Sequence, residues 1–190
     1  MRRMNTRPHP LAAPLAAALL TLTGAAAQAA LAVGAPAPDF SAEAAVGGQA
    51  FRFSLADALK SGPVVVYFYP KSFTSGCTVE AHQFSEAVPR FKALGAQVIG
   101  VSADDLATQK RFSVEACRGQ FPVAADEQAR VIKAYDAGFA LAPGVADRIS
   151  YVVAPGGKVL AVHASMSPDG HVQAALQAVQ RWRDAQSSLR

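Results

Sequence analysis

The residues Val64-Val65-Val66-Tyr67-Phe68-Tyr69 form a continuous apolar run of β-branched and aromatic side chains, which reads as a buried central strand. Pro70 ends it. From Val79 onward apolar residues return at helical spacing (Val79, Phe84, Val88, Phe91), with Thr74 or Ser75 available as the cap. Strand, short loop and helix in this order leave Cys77 in or near the first helical turn. There, free backbone N–H groups and the positive end of the helix dipole favour a thiolate, the nucleophilic form of cysteine. Local physics alone makes Cys77 a candidate reactive residue.

The remaining chain alternates in the same way. Phe51-Arg52-Phe53 reads as a small strand, Ser54 as the cap of a brief helix ending near Lys60, and Ser61-Gly62-Pro63 as the turn into the central strand. The Cys77 helix runs toward Leu94 and stops at Gly95, with Pro89 predicted to kink or divide it. A strand over 97–101, a helix from about 105 to 117 stopped by Gly119, a short strand over 121–124 and a helix over 127–135 follow. Residues 136–147 show no period and read as a loop. Strands over 148–154 and 158–164 join through Pro155-Gly156-Gly157 as a hairpin, and Val172, Leu176, Val179 and Trp182 mark a last helix. This order predicts an α/β sandwich around a central sheet of mixed strand direction.

Residues 1–29 read as a targeting segment. Arg2, Arg3 and Arg7 supply a basic start, Leu11 to Thr23 an apolar stretch interrupted by Pro14, and Ala27-Gln28-Ala29 a small-x-small cleavage site. The stretch is short of the ~20 apolar residues that span a bilayer. Export to the periplasm or outside the cell is therefore the expectation, with one domain over 30–190 and no membrane association after cleavage. The leader also accounts for the basic balance. It carries three of the 18 Lys and Arg and none of the 14 acids, leaving fifteen cations against fourteen anions, with no basic stripe for a nucleic acid. Arg181, Arg183 and Arg190 read as a solvated helix end.

The spacing Pro70-x-x-x-Thr74-x-x-Cys77 resembles the active-site motif of the peroxiredoxins, and Gly76-Cys77-Thr78-Val79-Glu80 is similar to their Q-type branch, the bacterioferritin comigratory proteins. Three further segments match in order: Gly34-Ala35-Pro36-Ala37-Pro38-Asp39-Phe40, Val98-Ile99-Gly100-Val101-Ser102, and Arg148-Ile149-Ser150-Tyr151-Val152-Val153. The resemblance spans roughly Val33 to Gln180. It implies a thioredoxin-like three-layer sandwich and a thiol-dependent peroxidase acting on hydrogen peroxide or organic hydroperoxides through a Cys77 sulfenic acid. Thr74 and Arg148 match the family's donors to thiolate and peroxide, and Pro70 its pocket-shaping proline. It implies no cofactor, an external thiol reductant such as a thioredoxin-like protein or a small thiol, and a monomer.

Some residues invite plainer readings. Glu80 suits a helix first turn, where a carboxylate is favourable, with a role in the site left open beside that reading, and His82 and His163 read as ordinary polar or partly packed side chains. The histidines form no metal-ligand spacing, so no metal is expected. Cys117 has three open roles: a resolving cysteine shifted four residues from the family's usual helical position near Ser113, a buried apolar thiol, or half of a disulfide staple with Cys77. The first is the working expectation. Two rival functions fit less well. A thiol–disulfide oxidoreductase uses Cys-x-x-Cys, but residue 80 is Glu; a copper carrier of this fold uses Cys-x-x-x-Cys, but residue 81 is Ala.

Overall fold

In a computed structural model that describes residues 30–188, one seven-stranded sheet forms the middle layer. The leader read over 1–29 lies outside the described residues. In chain order the elements are β1 (Ser41–Val46), β2 (Gln49–Ser54), α1 (Leu55–Leu59), β3 (Val64–Phe68), α2 (Ser75–Ala93) and β4 (Gln97–Ser102). Then come α3 (Leu106–Glu115), β5 (Val123–Ala125), α4 (Arg130–Ala134), β6 (Ile149–Val153), β7 (Val159–Ala164) and α5 (His171–Ser187). The strand order is β2-β1-β5-β4-β3-β6-β7, with β3, β4 and β5 parallel and the other pairs antiparallel. The sheet is thus mixed, as expected.

β3 sits between β4 and β6, and its five residues are all buried. Alternation divides them between two apolar layers. Val64, Val66 and Phe68 face the side covered by α1 and α4, while Val65, Tyr67 and Tyr69 face the side covered by α2, α3 and α5. Gly100 on β4 makes room for the Tyr67 ring, because a Cβ there would lie 2.8 Å from that ring. The β3–β6 register pairs Phe68 with Ile149, so Arg148 enters the sheet level with the end of β3. Topology therefore brings Arg148 beside the Cys77 loop.

Most expected elements are present, with four differences. β1 was not foreseen: its Ala-rich sequence has weak strand preference, and pairing with both β2 and β5 makes it a strand. α2 runs unbroken through Pro89, which faces solvent while Phe84, Val88 and Phe91 anchor the helix to the core on either side. The helix predicted from residue 127 begins at Arg130, because the Asp126 carboxylate accepts the N–H groups of Arg130 and Ile132 at 2.9 and 2.8 Å. Cys117 lies beyond the end of α3 rather than on it, in a turn where Arg118 and Gly119 both adopt positive φ. Arg183 is also more than a solvated charge, since it donates to the Ala93 carbonyl at the end of α2.

Candidate active site

The loop between β3 and α2 is fastened from below. Tyr69 donates its hydroxyl to Gln109 Oε1 at 2.8 Å, and the Ser72 hydroxyl lies 3.2 Å from the same oxygen. Gln109, buried on α3, donates in turn to Ser102 Oγ at 2.8 Å and to the Ala124 carbonyl at 2.9 Å. The Ser72 N–H donates to Asp104 Oδ2 at 2.8 Å. Phe73 then takes a left-handed conformation (φ 67°), costly for a bulky residue, with its ring held edge-on against Phe112 and under the Arg111 guanidinium. This turn delivers the chain into α2 at Thr74.

Cys77 is the third residue of α2 and is 1% exposed. Arg148 Nη2 donates to its sulfur at 3.4 Å. Gly76 admits this approach, since a Cβ there would lie 3.1 Å from Nη2. The other guanidinium arms are fixed as well: Nη1 donates to Glu80 Oε2, and Nε to the Met166 carbonyl at 3.0 Å. Burial disfavours the Arg148 charge, but Glu80 and Cys77 more than offset this and keep it cationic. A permanent cation with fixed direction therefore stands against the sulfur.

Thr74 occupies the cap position of α2, but its side chain makes no capping bond. Its hydroxyl donates to the Lys71 carbonyl at 3.0 Å instead of to the sulfur. Its expected reach to the thiolate is not present in this resting arrangement. Pro70, half-buried, ends the strand as predicted.

Glu80 departs furthest from its plain reading. It lies one turn beyond Cys77 on the same helix face, fully buried, and pairs with Arg148. Burial pushes its carboxyl up to about 7, against the pull of Arg148. His171, at the start of α5, completes the layer beneath: Nδ1 lies 2.8 Å from Ser150 Oγ and 3.6 Å from Glu80 Oε1, and Nε2 lies 3.0 Å from the Ser165 carbonyl. Burial pushes this imidazole down to about 4. The i, i+3 spacing from Cys77 could have pointed to Glu80. No local signal marks His171.

Both cysteines are free and buried, so the staple is absent from this structure. They belong to the same apolar layer, and both sulfurs lie within electrostatic reach of the Tyr67 hydroxyl. Burial pushes the Cys117 thiol well up, keeping it protonated and unreactive while it stays enclosed. Among the described residues no cluster of His, Cys, Asp and Glu is arranged to hold a metal ion, and no helix is long and apolar enough to cross a membrane.

The AhpC/TSA family profile matches residues 33–162, a span that includes Pro70, Thr74, Cys77 and Arg148. The chain belongs to the AhpC/TSA family. Within that family it is similar to chloroplastic peroxiredoxin Q of Oryza sativa subsp. japonica, with 35% identity over 122 residues, 64% of this chain and 56% of the relative. It is also similar to peroxiredoxin Bcp of Xanthomonas campestris pv. campestris, with 32% identity over 126 residues, 63% of this chain and 66% of the relative. The chain thus spans just over half the length of the plant relatives. Among solved structures, peroxidoxin BcpB of Mycobacterium tuberculosis superimposes with a TM-score of 0.71 at 30% identity, covering 78% of this chain and 96% of that one. A Cys-to-Ser variant of Xylella fastidiosa PrxQ gives 0.70 at 22% identity, covering 81% and 98%, a likeness of fold. The thioredoxin-like AhpC/TSA fold implied by the motif is the fold observed.

Proposed function

We propose that this chain is a thiol-dependent peroxidase whose nucleophile is Cys77. The observation that carries this reading is the Arg148 guanidinium, held on three sides and donating to the Cys77 sulfur. A thiolate there attacks one oxygen of a hydroperoxide. The S–O bond forms as the O–O bond breaks, the sulfur becomes a sulfenic acid, and the departing oxygen leaves as water or an alcohol after taking a proton. Charge develops on that oxygen in the transition state, where a preorganised donor is most effective. The relatives named peroxiredoxin Q and Bcp, and the match of all four motif residues, support the same reading.

In the second step Cys117 attacks the sulfenic sulfur, giving a Cys77–Cys117 disulfide and water. An external thiol then reduces the disulfide. Support comes from the shared apolar layer of the two cysteines and from the irregular turn that carries Cys117. The segment read as a leader over 1–29 supports the periplasm or the outside of the cell as the place of this chemistry, and a monomer is the proposed working form. A panel tests the function: peroxide consumption with dithiothreitol, insulin disulfide reduction, and intact mass after one equivalent of peroxide. Rapid peroxide loss with an oxidised Cys77 is expected; insulin reduction without peroxide turnover would overturn the reading. An exported protein should have a mass lacking residues 1–29, whereas an uncleaved cytosolic form would refute the localisation.

A further inference from the structure

Arg148 is aimed at Cys77 by groups that are themselves held, and one line of support leads to His171. The guanidinium is planar, so a bond at Nε helps fix the plane in which Nη1 and Nη2 lie. That bond goes to the Met166 carbonyl at 3.0 Å, on the segment that follows β7. Ser165, the residue before, is tied on both sides. Its N–H donates to the Arg148 carbonyl at 3.2 Å, and its own carbonyl lies 3.0 Å from His171 Nε2. Residues 165–166 therefore form a strap across Arg148, fastened to the start of β6 at one point and to His171 at the other.

The far anchor is rigid. His171 opens α5 with its side chain fully buried. The His163 ring stands edge-on to it, centroids 4.6 Å apart, and Gly170 makes room for that ring, since a Cβ there would lie 3.1 Å from His163 Nε2. Nδ1 lies 2.8 Å from the hydroxyl of Ser150, which shares a face of β6 with Arg148. A carbonyl oxygen only accepts, so Nε2 carries a hydrogen and donates to Ser165 whether the ring is neutral or protonated. Glu80 Oε1, 3.6 Å from Nδ1, is too far for a hydrogen bond, so this fastening does not run through the ion pair.

We propose that His171 is a positioning residue for peroxide reduction: through the Ser165 carbonyl its Nε2 hydrogen holds the Met166 carbonyl on Arg148 Nε, and so keeps Nη2 directed at the Cys77 sulfur. The inference rests on the peroxidase reading above. Paired with Glu80 through Nη1 alone, the guanidinium could still swing about that contact; Nε supplies the second fixed point. Misplacing a group by 1 Å at a reacting centre can cost about 10²-fold in rate.

Two amide residues separate the two ends of the ring. The Gln amide nitrogen reaches the place of Nε2 and the Asn amide oxygen the place of Nδ1, so His171→Gln keeps the Ser165 bond and His171→Asn keeps the Ser150 bond. Each variant loses one bond, and their urea midpoints should fall alike. Single-turnover reaction with hydrogen peroxide should slow about tenfold or more in His171→Asn, and stay within about threefold of the parent in His171→Gln. The Arg148 Nε–H, followed by nitrogen NMR and assigned by its loss in Arg148→Met, should exchange slowly with solvent in the parent and in His171→Gln, and quickly in His171→Asn. A parent-like peroxide rate in His171→Asn, or equal slowing of both variants in step with their stability, would overturn the proposal. The parent alone supplies a check that needs neither variant to fold: its His171 nitrogen shifts should place a hydrogen on Nε2, and a ring hydrogen on Nδ1 only would overturn the proposal as well. A parent that shows the expected shifts and a protected Nε–H but leaves hydrogen peroxide unconsumed would instead overturn the peroxidase reading.

Discussion

Arg148 separates two roles that a motif alone leaves merged. Its Nη2 donates to the Cys77 sulfur in the reduced protein, and on the proposed peroxidase reading the same donor would serve the oxygen that becomes negative as the O–O bond breaks. Arg148→Met should therefore slow peroxide reduction by about 10²–10³-fold, the usual cost of losing a preorganised oxyanion donor. It should slow alkylation by iodoacetamide far less, because alkylation reports mainly thiolate content. Stopped-flow measurement of both rates decides, and equal losses would restrict Arg148 to the thiolate. Cys77→Ser should abolish single-turnover peroxide consumption, while Cys117→Ser should retain it. Thr74→Val should affect peroxide and not alkylation only if its hydroxyl leaves the Lys71 carbonyl when substrate binds. Cys77 and Arg148 were legible in the sequence because a helix start and a motif each mark them. Glu80 carried two readings in the sequence, since a carboxylate in a first turn also has an ordinary explanation, and His171 acquires its partners only through the packing of α5 against β6.

The loop-to-α2 junction depends on α3 as much as on its own sequence. Gln109 satisfies the Tyr69 and Ser72 hydroxyls together, so Gln109→Leu leaves these two buried hydroxyls only each other, 3.2 Å apart, and removes the donor to the Ala124 carbonyl, at about 1–3 kcal/mol in all. A lower urea midpoint and faster labelling of Cys77 by a bulky thiol reagent are expected, because the loop loses its fastening. A parent-like labelling rate would mean that Phe73 and Asp104 hold the loop unaided. Disulfide formation makes a related demand on the same elements. A bond between Cys77 and Cys117 requires Cα atoms within about 7 Å, and one thiol starts at a helix beginning while the other is enclosed past a helix end. After one equivalent of peroxide, peptide mapping should find the two cysteines joined, and hydrogen exchange should rise at the start of α2 and over 116–119. A persistent sulfenic acid with Cys117 still alkylatable in denaturant would make an external thiol the resolving partner. β1 and the unbroken α2 escaped sequence reading for a common reason: strand pairing and core anchoring outweighed the local preferences of Ala and Pro.

For the whole molecule, the buried Glu80–His171 pair gives opposing pH dependences of stability. The native carboxyl keeps its proton up to about 7, whereas the unfolded one loses it near 4.5, so this group makes stability fall as pH rises between those values. The native imidazole resists protonation down to about 4, while the unfolded one titrates near 6.5, so this group makes stability rise with pH over that range. From about 4.5 to 6.5 the two slopes oppose each other. Glu80→Gln should expose the histidine slope, a rise of up to about 1.4 kcal/mol per pH unit, in urea midpoints measured across that interval. A profile parallel to the parent's would show that the two groups do not titrate as a pair.

The sheet also separates this chemistry from a second apolar layer, where Phe40, Phe53, Ile132, Tyr135 and Tyr151 pack beneath α1 and α4. None of the side chains hydrogen-bonded or ion-paired to Cys77, Arg148 or Glu80 belongs to that layer. An engineer seeking a heat-resistant catalyst therefore has a workable surface on which to begin. Side chains on the α1/α4 face can be exchanged for tighter-fitting ones, while the layer that holds Cys77 and Arg148 keeps its original residues.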